Sequence, residues 1–225
     1  MKARIAILAA LPREIKPLIR DWPTRTCCRN EGTLIAQCDR AIAVCAGMGP
    51  VRVSQAFTLA EGCGPLSMVV SVGYAGALRD CIARNTLHWP ETVFDAATGK
   101  QYECAGGSGV LVTAGHVLGR EEKRQMAGRW NADLVDMEAA TVARLTCTRG
   151  LPFRTLKVVS DEAGDKLPDL SRFIDTNGGF RESAFAWHLA LHPWLLPTVV
   201  QLGRNSQRAA EALAQALREM IDRAD

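Results

Sequence analysis

Short, continuous apolar runs separated by helix-like text most limit how this chain can fold. Residues 4–10, 41–46, 68–72 and 153–160 are such runs. Apolar runs of that length, bounded by turn or helix signals, read as strands buried on both faces. Weaker strand text covers 34–38, 92–95, 109–113 and 132–136, and 34–38 with 41–46 forms a hairpin around Asp39-Arg40. Helices are expected over 12–20, 50–61, 121–129 and 138–149, with Pro12 acceptable in a first turn. Strands interleaved with helices predict a three-layer α/β/α architecture around a mixed, mostly parallel twisted sheet, with C-terminal helices after the last strand. No repeat or linker interrupts the 225 residues, so they read as one domain, with a divergent helical tail from about 180–225.

Composition removes several function classes. Hydrophobic residues are 48% and charged residues 23%, which excludes disorder, collagen-like sequence and a coiled coil. Lys plus Arg is 27 against 24 for Asp plus Glu. A net charge of +3 predicts no nucleic-acid partner, because phosphate binding needs a concentrated basic face. No apolar run reaches the ~20 residues that span a bilayer. The N-terminus has a basic pair and an apolar stretch, but that stretch covers only 5–11 and charged helix text follows. It is therefore not read as a signal peptide, and the expected location is the cytoplasm. The eight cysteines, at 27, 28, 38, 45, 63, 81, 104 and 147, form no C-x-x-C and no zinc-ligand spacing. They read as reduced, buried thiols, with no metal site.

In sheets of this kind ligands bind beyond the carboxyl ends of the strands. Four places there carry chemistry: Glu14; Gly47-Met-Gly49; Gly73-Tyr-Ala-Gly76; and the pair Asp136-Met137-Glu138 with Ser160-Asp161. Gly47-Met-Gly49-Pro-Val-Arg52 lacks the third glycine of a dinucleotide fingerprint, and neither a phosphate loop nor a G-x-S-x-G elbow occurs. Each glycine pair alone is a tight turn or a close backbone approach. Each acid alone is a candidate helix cap or dipole partner. Their coincidence favours function: in a parallel sheet, Glu14, Glu138 and Asp161 would project over one edge beside the glycines.

These residues resemble the nucleoside phosphorylase and nucleosidase superfamily, especially its methylthioadenosine/S-adenosylhomocysteine nucleosidase side. The resemblance runs from Ile5 to about Asp165. It rests on Ile5-Ala-Ile-Leu-Ala-Ala-Leu-Pro-Arg-Glu14, Ala46-Gly-Met-Gly49, Val70-Ser-Val-Gly-Tyr-Ala-Gly76, Val135-Asp-Met-Glu-Ala139 and Val158-Val-Ser-Asp161. It implies cleavage of the N-glycosidic bond of a 5′-modified adenosine, releasing adenine. Asp161 would serve N7 of the purine as an acid, Glu138 would accept from the ribose hydroxyls over Met137, and Glu14 would activate the attacking water. Val117 and Leu118 would lie beside the base, while Gly47, Gly73, Tyr74 and Ser160 would complete the substrate pocket. Such a bond breaks through an oxocarbenium-like sugar cation, which carboxylates stabilise. An acid and a base working at one pH need surroundings that separate their pKa values. The resemblance further implies a homodimer or larger oligomer and no cofactor.

Departures shape the expected reaction. Where hexameric phosphorylases carry a phosphate-holding arginine this chain has Ser71, and Tyr74 replaces a frequent serine. Phosphate loses its bidentate partner, which favours water as nucleophile; phosphorolysis remains the alternative. Lys157 stands where nucleosidases usually have arginine, and would hold water or sugar as a point charge. Gly115-His116 stands where an acid is common near the base.

Beyond Asp165 the text diverges. Residues 184–200 are dense in apolar residues and broken by Pro193 and Pro197. An amphipathic helix over 204–223 follows, with Ala210, Leu213, Ala214, Leu217 and Met220 on one face. These helices cover the core, or else 184–202 forms an apolar wall or a peripheral lipid contact. Together with Asp175-Thr-Asn-Gly-Gly179, the tail resembles the hopanoid-associated branch, whose members release adenine from adenosylhopane. His188 and His192 share a helical spacing without a third ligand, so no metal is expected. Met126 and Trp130 read as core. A non-catalytic nucleoside or lipid binder and a thiol redox protein are the remaining alternatives.

Overall fold

The computed structural model describes residues 2–26, 33–165 and 196–223. The first half holds β1 (Arg4–Ala9), α1 (Pro12–Ile15), β2 (Thr24–Thr26), β3 (Leu34–Gln37), β4 (Ala41–Cys45), α2 (Pro50–Gly62) and β5 (Leu66–Ala77). Next come β6 (Leu87–His88), β7 (Thr92–Asp95), β8 (Gln101–Glu103), β9 (Val110–Thr113) and α3 (Arg120–Trp130). The remainder is β10 (Leu134–Asp136), α4 (Ala139–Arg149), β11 (Phe153–Asp161) and α5 (Leu196–Arg223).

One mixed sheet joins every strand among the described residues, in the order β2-β3-β4-β1-β5-β10-β9-β7-β8, with β11 on β5 and β6 on β11. β1, β4, β5 and β11 are mutually parallel, and β3–β4 is the expected hairpin. Helices cover both faces. Phe57 and Ala60 of α2 and Val142 and Ala143 of α4 pack with Ala6, Leu8 and Val44 on one side. On the other, Ile15, Leu18 and the α5 residues Leu213, Ala214 and Leu217 pack with Ile5, Ile7 and Val158. Ala210 and Met220 complete that buried α5 face, as the spacing predicts.

The sheet departs from expectation at β5. The glycine segment Gly73-Tyr-Ala-Gly76 does not close the strand; it continues within it, because β11 pairs with every one of those residues. β10 is antiparallel to β5, with Val135 opposite Gly76. The acids therefore do not all arrive from one direction over a parallel edge. β1 accompanies β5 only as far as Leu8 opposite Ser71. β1 and β10 thus meet nearly end to end on the same flank of β5, and Val72 to Ala75 lie between their ends.

Smaller differences have local causes. α1 stops at Ile15, not at residue 20, because Pro17 lacks an N–H and disfavours helical backbone before it. β2, β6 and β8 are too short for a period to register. Six free cysteines are described. Cys45 and Cys104 are buried as expected, but Cys81 and Cys147 are exposed. Cys27, Cys28, His188, His192, Asp175 to Gly179 and residues 184–195 of the apolar tail lie outside the described residues, and 196–202 are described only as helical backbone. No helix among the described residues is long and apolar enough to cross a membrane.

Phe57 is fully buried between α2 and the sheet. Phe57→Ala should lower the unfolding free energy by ~3–5 kcal/mol in urea titration. A loss below about 1 kcal/mol would contradict the packing of that layer.

Candidate active site

The break beside β5 opens into a cavity of about 200 Å³. Glu14, Glu138 and Asp161 all line it, although they come from α1, the start of α4 and the end of β11. Of the other expected residues, Tyr74, Val117, Leu118, Met137 and Ser160 also line it. Gly47, Gly73 and Lys157 do not, and each has a different position. Gly47 donates its N–H to the Ala10 carbonyl at 3.1 Å and shapes the turn after β4. Gly73 and Lys157 act on the carboxylates from behind.

Each acid is seated through a glycine. Glu14 Oε2 accepts from the N–H groups of Leu11 at 2.9 Å and Ala10 at 3.0 Å, which closes the start of α1. Its other oxygen accepts from the N–H of Tyr74 at 3.4 Å, just past the point where β1 ends beside β5. A Cβ on Gly73 would sit 3.0 Å from that carboxylate, and Gly73 has a φ of +141°. Only glycine leaves room for Glu14 there at no steric cost. Glu138 accepts from the Gly49 N–H at 2.8 Å. It does not cap α4; Asp136 does so by accepting from the Ala139 N–H at 2.9 Å. At Gly76 a Cβ would stand 2.8 Å from Asp161 Oδ2.

Behind the cavity lies a buried cation. Lys157, 1% exposed, donates to Asp136 at 2.7 Å and to Ser71 Oγ at 3.3 Å. Asp136 also accepts from Thr113 Oγ1 at 2.6 Å. The expectation that Lys157 holds water or sugar is replaced by this role: it neutralises acids from beneath. Burial pulls the Lys157 pKa down, but Asp136, Glu138 and Glu14 outweigh it and the net direction is up. Glu14 is raised by burial, opposed by the Leu11 N–H and by Lys157. Glu138 is pushed up to about 7, by burial first and then by the neighbouring Asp136 charge, with Lys157 opposing. One lysine lies beneath three carboxylates, and burial together with the neighbouring Asp136 charge favours the protonated form of Glu138.

Two further residues line the cavity: His116, which the sequence places near the base, and Lys123, which it does not single out. His116 lines it and bonds Glu122 at 2.8 Å. Lys123 lines it from α3 and pairs with Asp161. The signal was present in the spacing, since Lys123, Met126, Ala127 and Trp130 share one helical face. Met126, Ala127 and Trp130 pack on Leu78, Val112 and Leu118, consistent with the core reading of Met126 and Trp130. Among the described residues no cluster of His, Cys, Asp and Glu could hold a metal ion.

A family model described as the phosphorylase superfamily matches residues 107–186, a span containing Glu138 and Asp161. A search of curated protein sequences gave no significant match. Several solved structures share the fold. A mutant of Helicobacter pylori MTAN with 5′-methylthioadenosine in its active site superposes with a TM-score of 0.71 at 17% identity, covering 99% of each chain. A mutant of Helicobacter pylori futalosine hydrolase gives 0.70 at 18%, covering 98% of this chain and 99% of that one. Campylobacter jejuni 5′-methylthioadenosine/S-adenosylhomocysteine nucleosidase gives 0.71 at 16%, covering 97% and 98%. At these identities the likeness is one of fold, and it agrees with the three-layer mixed sheet.

Two outcomes follow from this geometry. Gly76→Ala should displace the Asp161 carboxylate in a crystal structure while leaving the melting temperature within a few degrees; a carboxylate left in place would contradict the seating. Glu138 titrates at about 7 when folded against about 4.5 otherwise. The folded chain keeps that proton where the unfolded chain has lost it. The Glu138 contribution to stability is thus fully present below pH 4.5 and is lost as pH rises through about 7. Glu138→Gln should therefore gain stability relative to the parent between pH 5 and pH 8 in urea unfolding. An equal difference at both pH values would rule out the raised acid.

Proposed function

We propose that the chain is a nucleosidase that hydrolyses the N-glycosidic bond of a 5′-modified adenosine and releases adenine. The observation that carries this reading is the convergence of Glu14, Glu138 and Asp161 on one cavity with apolar walls. The fold likeness to nucleosidases and the family match over 107–186 support it. In this reading Asp161 delivers a proton to N7 as the bond to C1′ breaks. Glu138 accepts from the ribose hydroxyls, and Glu14 takes a proton from the water that attacks C1′. The cation developing on the sugar is stabilised by the carboxylates around it.

Water is favoured over phosphate on physical grounds. Ser71, which stands at the phosphate-arginine position, is 1% exposed and engaged with Lys157. Glu14 and Glu138 would repel a phosphate dianion from the same face. The 5′ substituent is the finer part of the reading. The tail resemblance favours a lipid-type group, as in adenosylhopane, with the chain acting as a homo-oligomer in the cytoplasm.

The test is adenine release from a panel of 5′-modified adenosines, with and without phosphate. The reading requires release without phosphate and free 5′-modified ribose as the second product. A ribose 1-phosphate product, or no release from any member, would overturn it. Asp161→Asn should lower kcat by ~10²–10⁴-fold with the fold intact. Near-native turnover would remove the acid role from Asp161.

A further inference from the structure

Helix α3 is polar over most of its surface, yet Lys123 within it is only 2% exposed. Its ammonium donates to Asp161 Oδ2 and, at 2.9 Å, to the Glu162 carbonyl. On the opposite side of the same carboxyl group, Ser160 Oγ lies 2.5 Å from Asp161 Oδ1 and 3.3 Å from the Ala75 carbonyl oxygen. Ser160 thus donates to Asp161 Oδ1 while Lys123 donates to Oδ2, so the carboxylate sits at the cavity with a hydroxyl on one oxygen and a cation on the other.

We infer that Lys123 supplies the proton that Asp161 passes to the leaving base. This deepens the nucleosidase reading and rests on it. As the C1′–N9 bond breaks, its electron pair moves onto the purine and raises the basicity of N7. Asp161 takes a proton from the Lys123 ammonium and passes it to N7, ending as the carboxylate it began as. Adenine leaves neutral, Lys123 is left as an amine, and solvent restores its proton after product release. The water oxygen bonds to C1′ and its proton goes to Glu14, so the step balances. Lys123 acts through Asp161 and is a positioning residue that also supplies charge. A purely structural role is the competing account, but a buried ion pair is weak evidence for stability, because apolar replacement is often neutral.

Arginine separates the two accounts. It keeps the positive charge and the ion pair, but it does not give up its proton in proteins. Wild type, Lys123→Arg and Lys123→Met are compared on two ribosides with the same 5′ group. One carries adenine; the other carries 4-nitrophenolate, which departs without needing a proton. Lys123→Arg should lose ~10²–10⁴-fold in kcat on the adenine riboside and under about tenfold on the nitrophenyl riboside, with KM little changed. Equal losses on both substrates, or full activity of Lys123→Arg on the adenine riboside, would overturn the relay. Lys123→Met should show the same split; should it fail to fold, the Arg variant alone decides. Wild type that cleaves neither riboside sinks the nucleosidase reading and the relay with it. An active wild type whose variants lose no leaving-group discrimination sinks the relay alone.

Discussion

The site depends on a break in strand pairing. β5 is long enough to be flanked by two strands in succession, and β1 and β10 approach its Val72 to Ala75 stretch from opposite ends. Backbone groups at such a break need partners, since burying an unsatisfied N–H or C=O is costly. Glu14 takes up part of that need through the Tyr74 N–H. The same break admits Asp136 and Glu138 from the returning β10, so three carboxylates crowd above Lys157. Burial and mutual repulsion then hold Glu138 near neutrality. A defect in the sheet becomes a source of acid and base at one place.

Glycine is what lets backbone and carboxylate come so close. Gly73 clears Glu14, Gly76 clears Asp161, and Gly49 donates its N–H to Glu138. Glu14 and Glu138 rest on main-chain N–H groups, which are fixed by the sheet, by the start of α1 or by the start of α2. Charge held on rigid, preorganised dipoles needs little reorganisation when a sugar cation forms. Asp161 differs from the other two acids in having Lys123 and Ser160 as its partners, and in the proposed reaction the leaving base is the one reactant that must gain a proton.

Much of this was legible in the residues. Glu14, Glu138 and Asp161 stood out because each follows an apolar run, and strand ends are where open α/β sheets bind ligands. The glycines were legible as turns or close approaches, and two of them proved to be the close approach, inside a strand. The direction of β10 was not legible, because a short apolar run carries no arrow. Lys157 and Asp136 were each singled out but their pairing was not, since that contact depends on the unseen reversal. Lys123 was hidden by charged neighbours on both sides, Glu122 and Arg124. Only its spacing with Met126 and Trp130 marked it as inward-facing.

The most direct measurement is a crystal structure with an adenosine analogue whose base is joined to the sugar by a carbon–carbon bond, which cannot be cleaved. The account predicts N7, or its replacement, within hydrogen-bond distance of Asp161, the ribose hydroxyls on Glu138, and Glu14 facing C1′ across one water. An analogue bound outside this cavity, or seated with its base turned away from Asp161, would contradict it.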